Sequence, residues 1–332
     1  RGLYAAGVGS GVGSGVAVDG GGAHVQLSEV VSPRLFVGTV SVPTRTDRPS
    51  LLFDFGPIRQ GLEQDVRGAL AASFFRDKLV QIDFDQCVLR LATRDVPIAD
   101  LGAPLPLTLD DNEVPWMEGV EVGGRQESFM VSTGSNGTTE LHKWLFDALV
   151  NEGHLTIEEG ESKGESVAGP VAARRGWVDT FSCGQFHHRD LLVRAGGQNA
   201  LGLGYLSRYI VTIDATGGRV YLRPGKQFNR PDNVDRTGLE VRRISSALEV
   251  TSVMKGTSAD VAGLEPGDKI LEVNGTSCQH MRLIELNQRL CDSAGQTLTL
   301  TVDRQGTHVD VTFDVPDARR GQGSRKSMPG RE

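Results

Sequence analysis

The sequence predicts a mainly β protein made of two similar lobes and a smaller C-terminal module. Its 332 residues are enough for two or three domains at roughly 100–200 residues each. Glycine is abundant, with 42 residues, and only 6% of residues are aromatic, which favours strands joined by tight turns over a helical bundle. A segment of the first half of the chain recurs in the second half, which indicates two related lobes.

The recurring segment spans residues 68–83 and, 131 positions later, residues 199–214, without a gap. Apolar positions match along both copies, and each copy predicts a short helical turn, a strand, a turn and a second strand. The first strand of each copy ends at an aspartate, Asp83 or Asp214, and we expect each aspartate to cap the turn that follows. The repeat therefore predicts the same hairpin twice.

Domain boundaries follow from local composition. Proline and polar residues accumulate between Arg223 and Arg236, which predicts a linker. The last stretch of the chain is rich in Arg, Gly and Ser without hydrophobic periodicity, which predicts an unstructured tail. The predicted units are a first lobe over 1–98, a second lobe over 99–225, a linker over 226–236, a C-terminal module over 237–315 and a tail over 316–332.

Composition and charge exclude several classes of function. The net charge is −7 and Lys and Arg are scattered, so nucleic acid is not an expected partner. No apolar run reaches ~18 residues, so no membrane-spanning segment is expected. Neither a metal-ligand spacing nor a G-x-G-x-x-G fingerprint occurs, so we expect no metal and no other cofactor. The four cysteines lie far apart, at Cys87, Cys183, Cys278 and Cys291.

A polar loop in the predicted second lobe is the candidate catalytic segment. Residues 128–131 predict an apolar strand, residues 132–135 (Ser-Thr-Gly-Ser) follow it, and residues 141–149 place apolar side chains on one face of a predicted helix. This order of strand, loop and helix resembles the active-site loop of the retropepsin-like aspartic peptidases. Residues 200–206 resemble the later hydrophobic-hydrophobic-Gly segment of that family, so the resemblance covers about residues 1–225.

The resemblance implies two pepsin-like lobes, each of which supplies one Asp-Thr-Gly loop. The two aspartates share a proton and activate water against a peptide carbonyl, so the implied substrate is a polypeptide. Thr133 and Gly134 match this motif, but Ser132 stands at the aspartate position and cannot act as a carboxylate base. The resemblance places the loop of the first lobe before Arg1, so we expect this lobe to be truncated at its N-terminus.

The sequence therefore contains neither aspartate of the pair, and we expect an inactive or impaired peptidase-like protein. One alternative is an active aspartic endopeptidase, if an upstream Asp-Thr-Gly completes the first lobe. Another is a non-enzymatic scaffold whose lobes only carry the C-terminal module. A serine hydrolase that uses Ser132 is a further alternative, with His142 as the nearest histidine, although the G-x-S-x-G spacing is not met.

The C-terminal module resembles a PDZ domain over residues 256–264 (GTSADVAGL) and residues 266–275 (PGDKILEVNG). The resemblance implies that an extended peptide adds to the edge of a strand beside a helix, while backbone amides hold its terminal carboxylate. The expected peptide-binding residues are Gly238, Leu239, Glu240, Val241, Leu283, Leu286 and Leu290. The alternative is that the apolar members of this set form only the core of the module. Proteins similar to this combination are often exported, to the periplasm or beyond.

Overall fold

The structure, a computed structural model, describes residues 3–6, 11–18, 24–30, 34–37, 40–42, 50–52, 56, 59, 63, 65–66, 68–70, 75–95, 100–135, 137–158, 162–166 and 169–317. The chain divides into two units. The larger unit combines Arg1–Gly61 with Asp65–Asp232, and the smaller unit combines Leu62–Gln64 with Asn233–Glu332. The predicted tail lies outside the described residues from residue 318 onward.

The larger unit is built mainly from strands. Its strands are β1 (Leu3–Ala6), β2 (Gly11–Val18), β3 (His24–Val30), β4 (Arg34–Val37), β5 (Val40–Val42), β6 (Ser50–Leu52), β7 (Lys78–Asp83), β8 (Val88–Thr93), β9 (Ala103–Leu109), β10 (Pro115–Val122), β11 (Arg125–Val131), β12 (Thr139–His142), β13 (Leu155–Ile157), β14 (Ser162–Ser166), β15 (Gly169–Ala173), β16 (Arg175–Cys183), β17 (Phe186–Gly196), β18 (Ala200–Leu201), β19 (Tyr209–Asp214) and β20 (Arg219–Pro224). Its helices are α1 (Lys143–Glu152) and α2 (Leu203–Leu206).

A 12-stranded sheet organises this unit, in the order β13-β16-β17-β12-β18-β11-β10-β9-β20-β19-β7-β8. Smaller sheets have the orders β1-β4-β5, β2-β3-β6 and β14-β15. Alternating side chains of the central strands are buried, as expected for strands that cover a core on one face. The core includes the fully buried rings of Phe129, Phe181 and Tyr205, and α1 covers it with Leu145 and Leu149.

The two copies of the repeat predicted from the sequence lie side by side at one end of this sheet, as β20-β19-β7-β8. β7 pairs antiparallel with β19, and Gln81 lies opposite Thr212, which is the equivalent residue of the second copy. The side-chain amide of Gln81 donates a hydrogen bond to the Thr212 hydroxyl over 3.1 Å. Because equivalent residues face each other in an antiparallel pair, the hairpins β7–β8 and β19–β20 are related by a local twofold axis.

Asp83 and Asp214 cap the two hairpin turns, as predicted. The Gln86 N–H donates to Asp83 Oδ1 over 3.1 Å, and the Gly217 N–H donates to Asp214 Oδ1 over 2.8 Å. An arginine also lies 3.2 Å from each carboxylate. Both aspartates therefore stabilise the hairpins.

Within the described residues, the smaller unit is a six-stranded sheet with two helices. Its strands are β21 (Leu239–Ile244), β22 (Ala247–Val253), β23 (Lys269–Val273), β24 (Thr276–Ser277), β25 (Thr297–Arg304) and β26 (Thr307–Asp314). Its helices are α3 (Ser258–Val261) and α4 (Leu283–Asp292). The strand order is β21-β22-β23-β25-β26, and β24 pairs with β23.

Three of the leucine and valine residues predicted to contact a peptide form the core of this unit instead. Val241, Leu286 and Leu290 are 8%, 0% and 1% exposed and pack in one apolar cluster with side chains of β22, β23 and β25. A side chain without exposed surface offers a ligand nothing to contact. The helical spacing of the leucines identified a buried face of α4, and that face belongs to the core.

Within the described residues, no helix combines the length and the apolar character needed to cross a membrane. In the same part of the chain, no group of three or more His, Cys, Asp or Glu side chains is placed to hold a metal ion.

Replacing Leu286 with Ala tests its assignment to the core. We expect Leu286→Ala to lower the free energy of unfolding of the smaller unit by about 2–5 kcal/mol, because it leaves a cavity in a packed core. Ile284→Ala changes a side chain on the same helix that is 54% exposed, and we expect a change within about 0.5 kcal/mol. Native-state hydrogen exchange of the β25 amides measures both, and equal effects of the two changes would contradict the assignment.

Candidate functional site

One edge of the sheet in the smaller unit is open. β21 is the first strand in the sheet order, and within the described residues its outer side pairs with no other strand. Helix α4 lies against β21. The Arg243 guanidinium on β21 also donates to the Met281 carbonyl, just before α4, over 2.5 Å. We call the space between the outer side of β21 and α4 the β21–α4 groove.

The groove begins at a glycine in a left-handed conformation. Gly238 has a φ of 81°, and a Cβ there would lie 2.3 Å from the Thr257 Oγ1 atom. Its carbonyl accepts a hydrogen bond from the Met254 N–H over 2.8 Å. Its own N–H has no hydrogen-bond partner within the described part of the chain. Both the backbone conformation and the close approach require glycine at this position.

Side chains hold the loop before β21 in place. Asp235 Oδ1 accepts hydrogen bonds from the Thr237 N–H over 2.8 Å and from the Thr237 hydroxyl over 2.7 Å. The Leu239 N–H in turn donates to Thr237 Oγ1 over 3.2 Å. Thr237 is completely buried, so the loop is an ordered start to the strand.

The two faces of β21 have different roles. Alternation along the strand places Leu239 and Arg243 on the same face as the buried Val241, toward the core and α4. Glu240 lies on the opposite face, where its carboxylate accepts hydrogen bonds from the Ser252 hydroxyl and the Arg242 guanidinium over 3.3 Å each. The Glu240 side chain therefore does not line the groove. Leu239 and Leu283 are partly buried, and they are the predicted apolar contacts that keep exposed surface.

The Ser132 loop is held by its backbone. The Ser132 N–H donates to the Leu201 carbonyl over 3.0 Å, and the Leu203 N–H donates to the Ser135 carbonyl over 2.8 Å. Thr133 and Gly134 are exposed. Within the described residues, the Ser132 hydroxyl makes no hydrogen bond to a carboxylate or to an imidazole. Among the described residues, therefore, no acid or base is hydrogen-bonded to Ser132.

Histidine contacts elsewhere in the described part of the chain do not complete a serine-hydrolase site. His142 Nδ1 accepts the Trp144 N–H over 3.3 Å, so its ring caps α1. The Ser182 hydroxyl and His187 Nδ1 are 2.9 Å apart, as cross-strand partners on β16 and β17. Among the described residues no carboxylate bonds to His187, so the third member that orients the base is missing.

A buried polar chain crosses the core of the larger unit. The Tyr205 hydroxyl donates to Cys183 Sγ over 3.2 Å, and the Tyr209 hydroxyl lies 2.5 Å from His188 Nε2. Burial raises the pKa of the Cys183 thiol to about 12, so this cysteine is protonated and is not a nucleophile at neutral pH. Burial, helped by the charge of Arg208, lowers the pKa of His188 to about 4. These groups are hydrogen-bonded to one another, which satisfies polar atoms that lie away from water.

Comparison with known proteins identifies the smaller unit. The family model of the PDZ domain matches residues 227–303. A probable CtpA-like serine protease of Staphylococcus saprophyticus is 32% identical over 90 residues, which are 26% of this chain and 18% of the relative. A protein of the same description from Staphylococcus aureus is 35% identical over 88 residues, with the same two shares. The chain thus spans only 18% of the length of these curated relatives.

The chain is also similar to parts of solved structures. The PDZ domain of EpsC from Vibrio cholerae covers 24% of this chain and 78% of its own, with 20% identity and a TM-score of 0.20. The HtrA-type protease AlgW, solved with a decapeptide, covers 73% of this chain and 80% of its own, with 13% identity and a TM-score of 0.27. Both TM-scores are too low to support a statement about fold or activity.

The protein is therefore mainly β and carries a C-terminal PDZ domain. The PDZ resemblance inferred from residues 256–275 is confirmed by the family match. PDZ domains bind extended peptides at a strand edge, and the open edge of β21 beside α4 has this form.

The interpretation of the chain as a retropepsin-like aspartic peptidase, active or degenerate, is wrong. The curated relatives are CtpA-like serine proteases, and the matched family model is that of the PDZ domain. The resemblance depended on a short motif in which Thr133 and Gly134 matched, whereas the residue that would carry the chemistry is Ser132. An apolar strand, a Thr-Gly turn and an amphipathic helix are common local features, so their order alone does not specify a catalytic family.

The half-buried imidazole of His188 predicts a pH dependence of stability. The unfolded chain binds this proton near pH 6.5 and the folded chain near pH 4, so stability is lost as the pH falls between these values. We expect His188→Gln to reduce the slope of the unfolding free energy in this window by at most about 1.4 kcal/mol per pH unit. Urea unfolding followed by tryptophan fluorescence reports on the larger unit, which holds Trp116, Trp144 and Trp177. Equal slopes of unfolding free energy against pH in the two proteins would refute the assignment of this pH dependence to His188.

Proposed function

We propose that this chain binds the free C-terminal end of an extended polypeptide in the β21–α4 groove of its PDZ domain. The observation that carries the proposal is the open edge of β21 beside α4. The unpaired backbone N–H and C=O groups of an edge strand are a template for one more strand. A peptide that adds to this edge satisfies them without a change in the fold.

The start of β21 supports the binding of a terminal carboxylate. The N–H of Gly238 has no partner in the described part of the chain, and it lies in the ordered loop that Asp235 and Thr237 hold. Backbone amides are good donors to a carboxylate, and such hydrogen bonds are stronger than those between neutral groups. With its carboxylate at Gly238, the peptide runs antiparallel to β21, toward Arg243.

The apolar contacts favour an apolar residue at the C-terminus of the peptide. Leu239 and Leu283 flank the groove from β21 and from α4, and both are partly buried against the core. An apolar side chain placed between them would be removed from water at roughly 25 cal/mol per Å² of buried surface. Glu240 lies on the opposite face of β21, so its charge does not oppose an apolar side chain in the groove.

We also propose the predicted domain boundaries, with two repeat-related lobes over 1–98 and 99–225, a linker over 226–236 and the PDZ domain over 237–315. The local twofold axis between Gln81 and Thr212 supports the two related lobes. No hydrolytic step is included in the proposed function. The CtpA-like relatives are serine proteases of which this chain spans 18%, and among the described residues the Ser182–His187 pair has no carboxylate bonded to its histidine.

Peptide binding tests the proposal. The probe is a fluorescein-labelled octapeptide that ends in Ala-Val-Val with a free carboxylate, and the comparison is the same peptide with a C-terminal amide. Anisotropy of the labelled peptide is the suitable signal, because the PDZ domain contains neither Trp nor Tyr. We expect the amide to bind at least about tenfold more weakly, since it loses its charge-assisted hydrogen bonds.

A glycine substitution localises the site. Gly238→Ala places a Cβ against Thr257, so we expect a loss of binding of about tenfold or more. Gly306→Ala is the matched control, because Gly306 has a φ of 87° but nothing within 4 Å of the new Cβ. Both changes carry a similar backbone strain of about 1 kcal/mol, so binding should be lost only in the first. The proposal is refuted if the acid and the amide peptide bind equally well, or if Gly238→Ala binds the acid peptide as tightly as the unchanged chain does.

A further inference from the structure

A carboxylate from a distant part of the sequence sits at the far end of the β21–α4 groove. Glu63 belongs to the smaller unit, although it precedes Arg243 by 180 residues. Its Oε2 atom accepts the Leu283 N–H, the first amide of α4, over 2.7 Å. Its Oε1 atom accepts a hydrogen bond from the Arg243 guanidinium. Glu63 therefore bridges the strand and the helix that form the two walls of the groove.

The contact has a clear electrostatic basis. The first amides of a helix have no partner within the helix, and the partial positive charge there favours an anion. The N-cap residue of α4 is Arg282, whose side chain supplies no acceptor. Glu285 accepts the Arg282 N–H over 3.2 Å, and Glu63 accepts the next amide, that of Leu283. The side chains of Glu63 and Arg243 are 14% and 25% exposed, which makes this ion pair stronger than one at the open surface.

Glu63 contacts β21 at a strand position that a long bound peptide would pass. Arg243 is four residues beyond Leu239 on β21, so it lies about 13 Å along the strand. A peptide that starts with its carboxylate at Gly238 and runs antiparallel to β21 reaches Arg243 with about its fifth residue from the C-terminus. A tripeptide ends before this point, whereas an octapeptide passes through it.

The backbone at Glu63 supports a contact that can be released. Its φ of 51° lies in the left-handed region, which residues other than glycine adopt uncommonly. Such a conformation is strained and persists only while its contacts hold it. Arg243 keeps other acceptors, the carbonyls of Ser246 and Met281, so it stays in place when Glu63 leaves.

We propose that Glu63 is an autoinhibitory residue of the PDZ groove. It occupies the end of the groove in the free protein, and a peptide of more than about four residues must displace it. Such a peptide is favoured when it carries an Asp or Glu side chain that replaces the Glu63 carboxylate at the Leu283 N–H and Arg243. This inference rests on the proposed peptide-binding function. A structural helix cap is the competing explanation, and it predicts no dependence on peptide length.

The experiment compares the full chain with its Glu63→Gln variant. The two probes are labelled Ala-Val-Val and the labelled octapeptide that ends in the same three residues, and anisotropy gives both dissociation constants. Glu63→Gln keeps the size of the side chain and removes its charge. We expect the octapeptide to bind the variant about tenfold more tightly, because the open groove becomes the main state, and the tripeptide to bind both proteins equally.

Asp310→Asn is the matched control. It removes an exposed carboxylate from β26, the strand at the opposite edge of the same sheet, and we expect neither probe to respond. The inference is overturned if Glu63→Gln leaves the octapeptide unchanged, or if it changes both probes by the same factor. If neither probe binds either protein, the peptide-binding function itself fails. The two failures are therefore distinguishable.

Discussion

The function proposed for the C-terminal domain depends on the open edge of β21. An unpaired strand edge can bind a peptide, but it also invites pairing with any other exposed strand. Charged side chains at Glu240, Arg242 and Arg243 make this strand a poor partner for a nonspecific strand, and α4 covers one side of it. Glu63 adds a second restriction at the far end of the groove. The same edge can therefore accept a peptide and is protected against pairing with other exposed strands.

Two large features of the fold could be predicted from the sequence, because many residues contribute to each pattern. The repeat at an offset of 131 predicted two equivalent hairpins, and the structure pairs them so that Gln81 faces Thr212. The PDZ motif covers residues 256–275, and its turns, helix and strand all match the pattern of that family. Such agreement between local preferences and the fold makes a long pattern specific.

The functional residues were predicted less well, for physical reasons. The spacing of Leu283, Leu286 and Leu290 shows that one face of α4 is apolar, but it does not tell whether the core or a ligand covers that face. The Ser132 loop resembled a catalytic loop in backbone pattern alone, and a pattern without its carboxylate carries no chemistry. The contact of Glu63 could not be predicted, since its partners lie 180 and 220 residues away and no local pattern encodes such a pairing.

Amide hydrogen exchange of the full chain, with and without the free-carboxylate octapeptide, tests the central claim most directly. It reports on individual strands in a domain that has no Trp or Tyr. The account predicts slower exchange for amides at Gly238 and along β21, since they gain partners from the added strand, and no change along β26 at the opposite edge. Protection that appears elsewhere in the chain, with β21 unchanged, would contradict it.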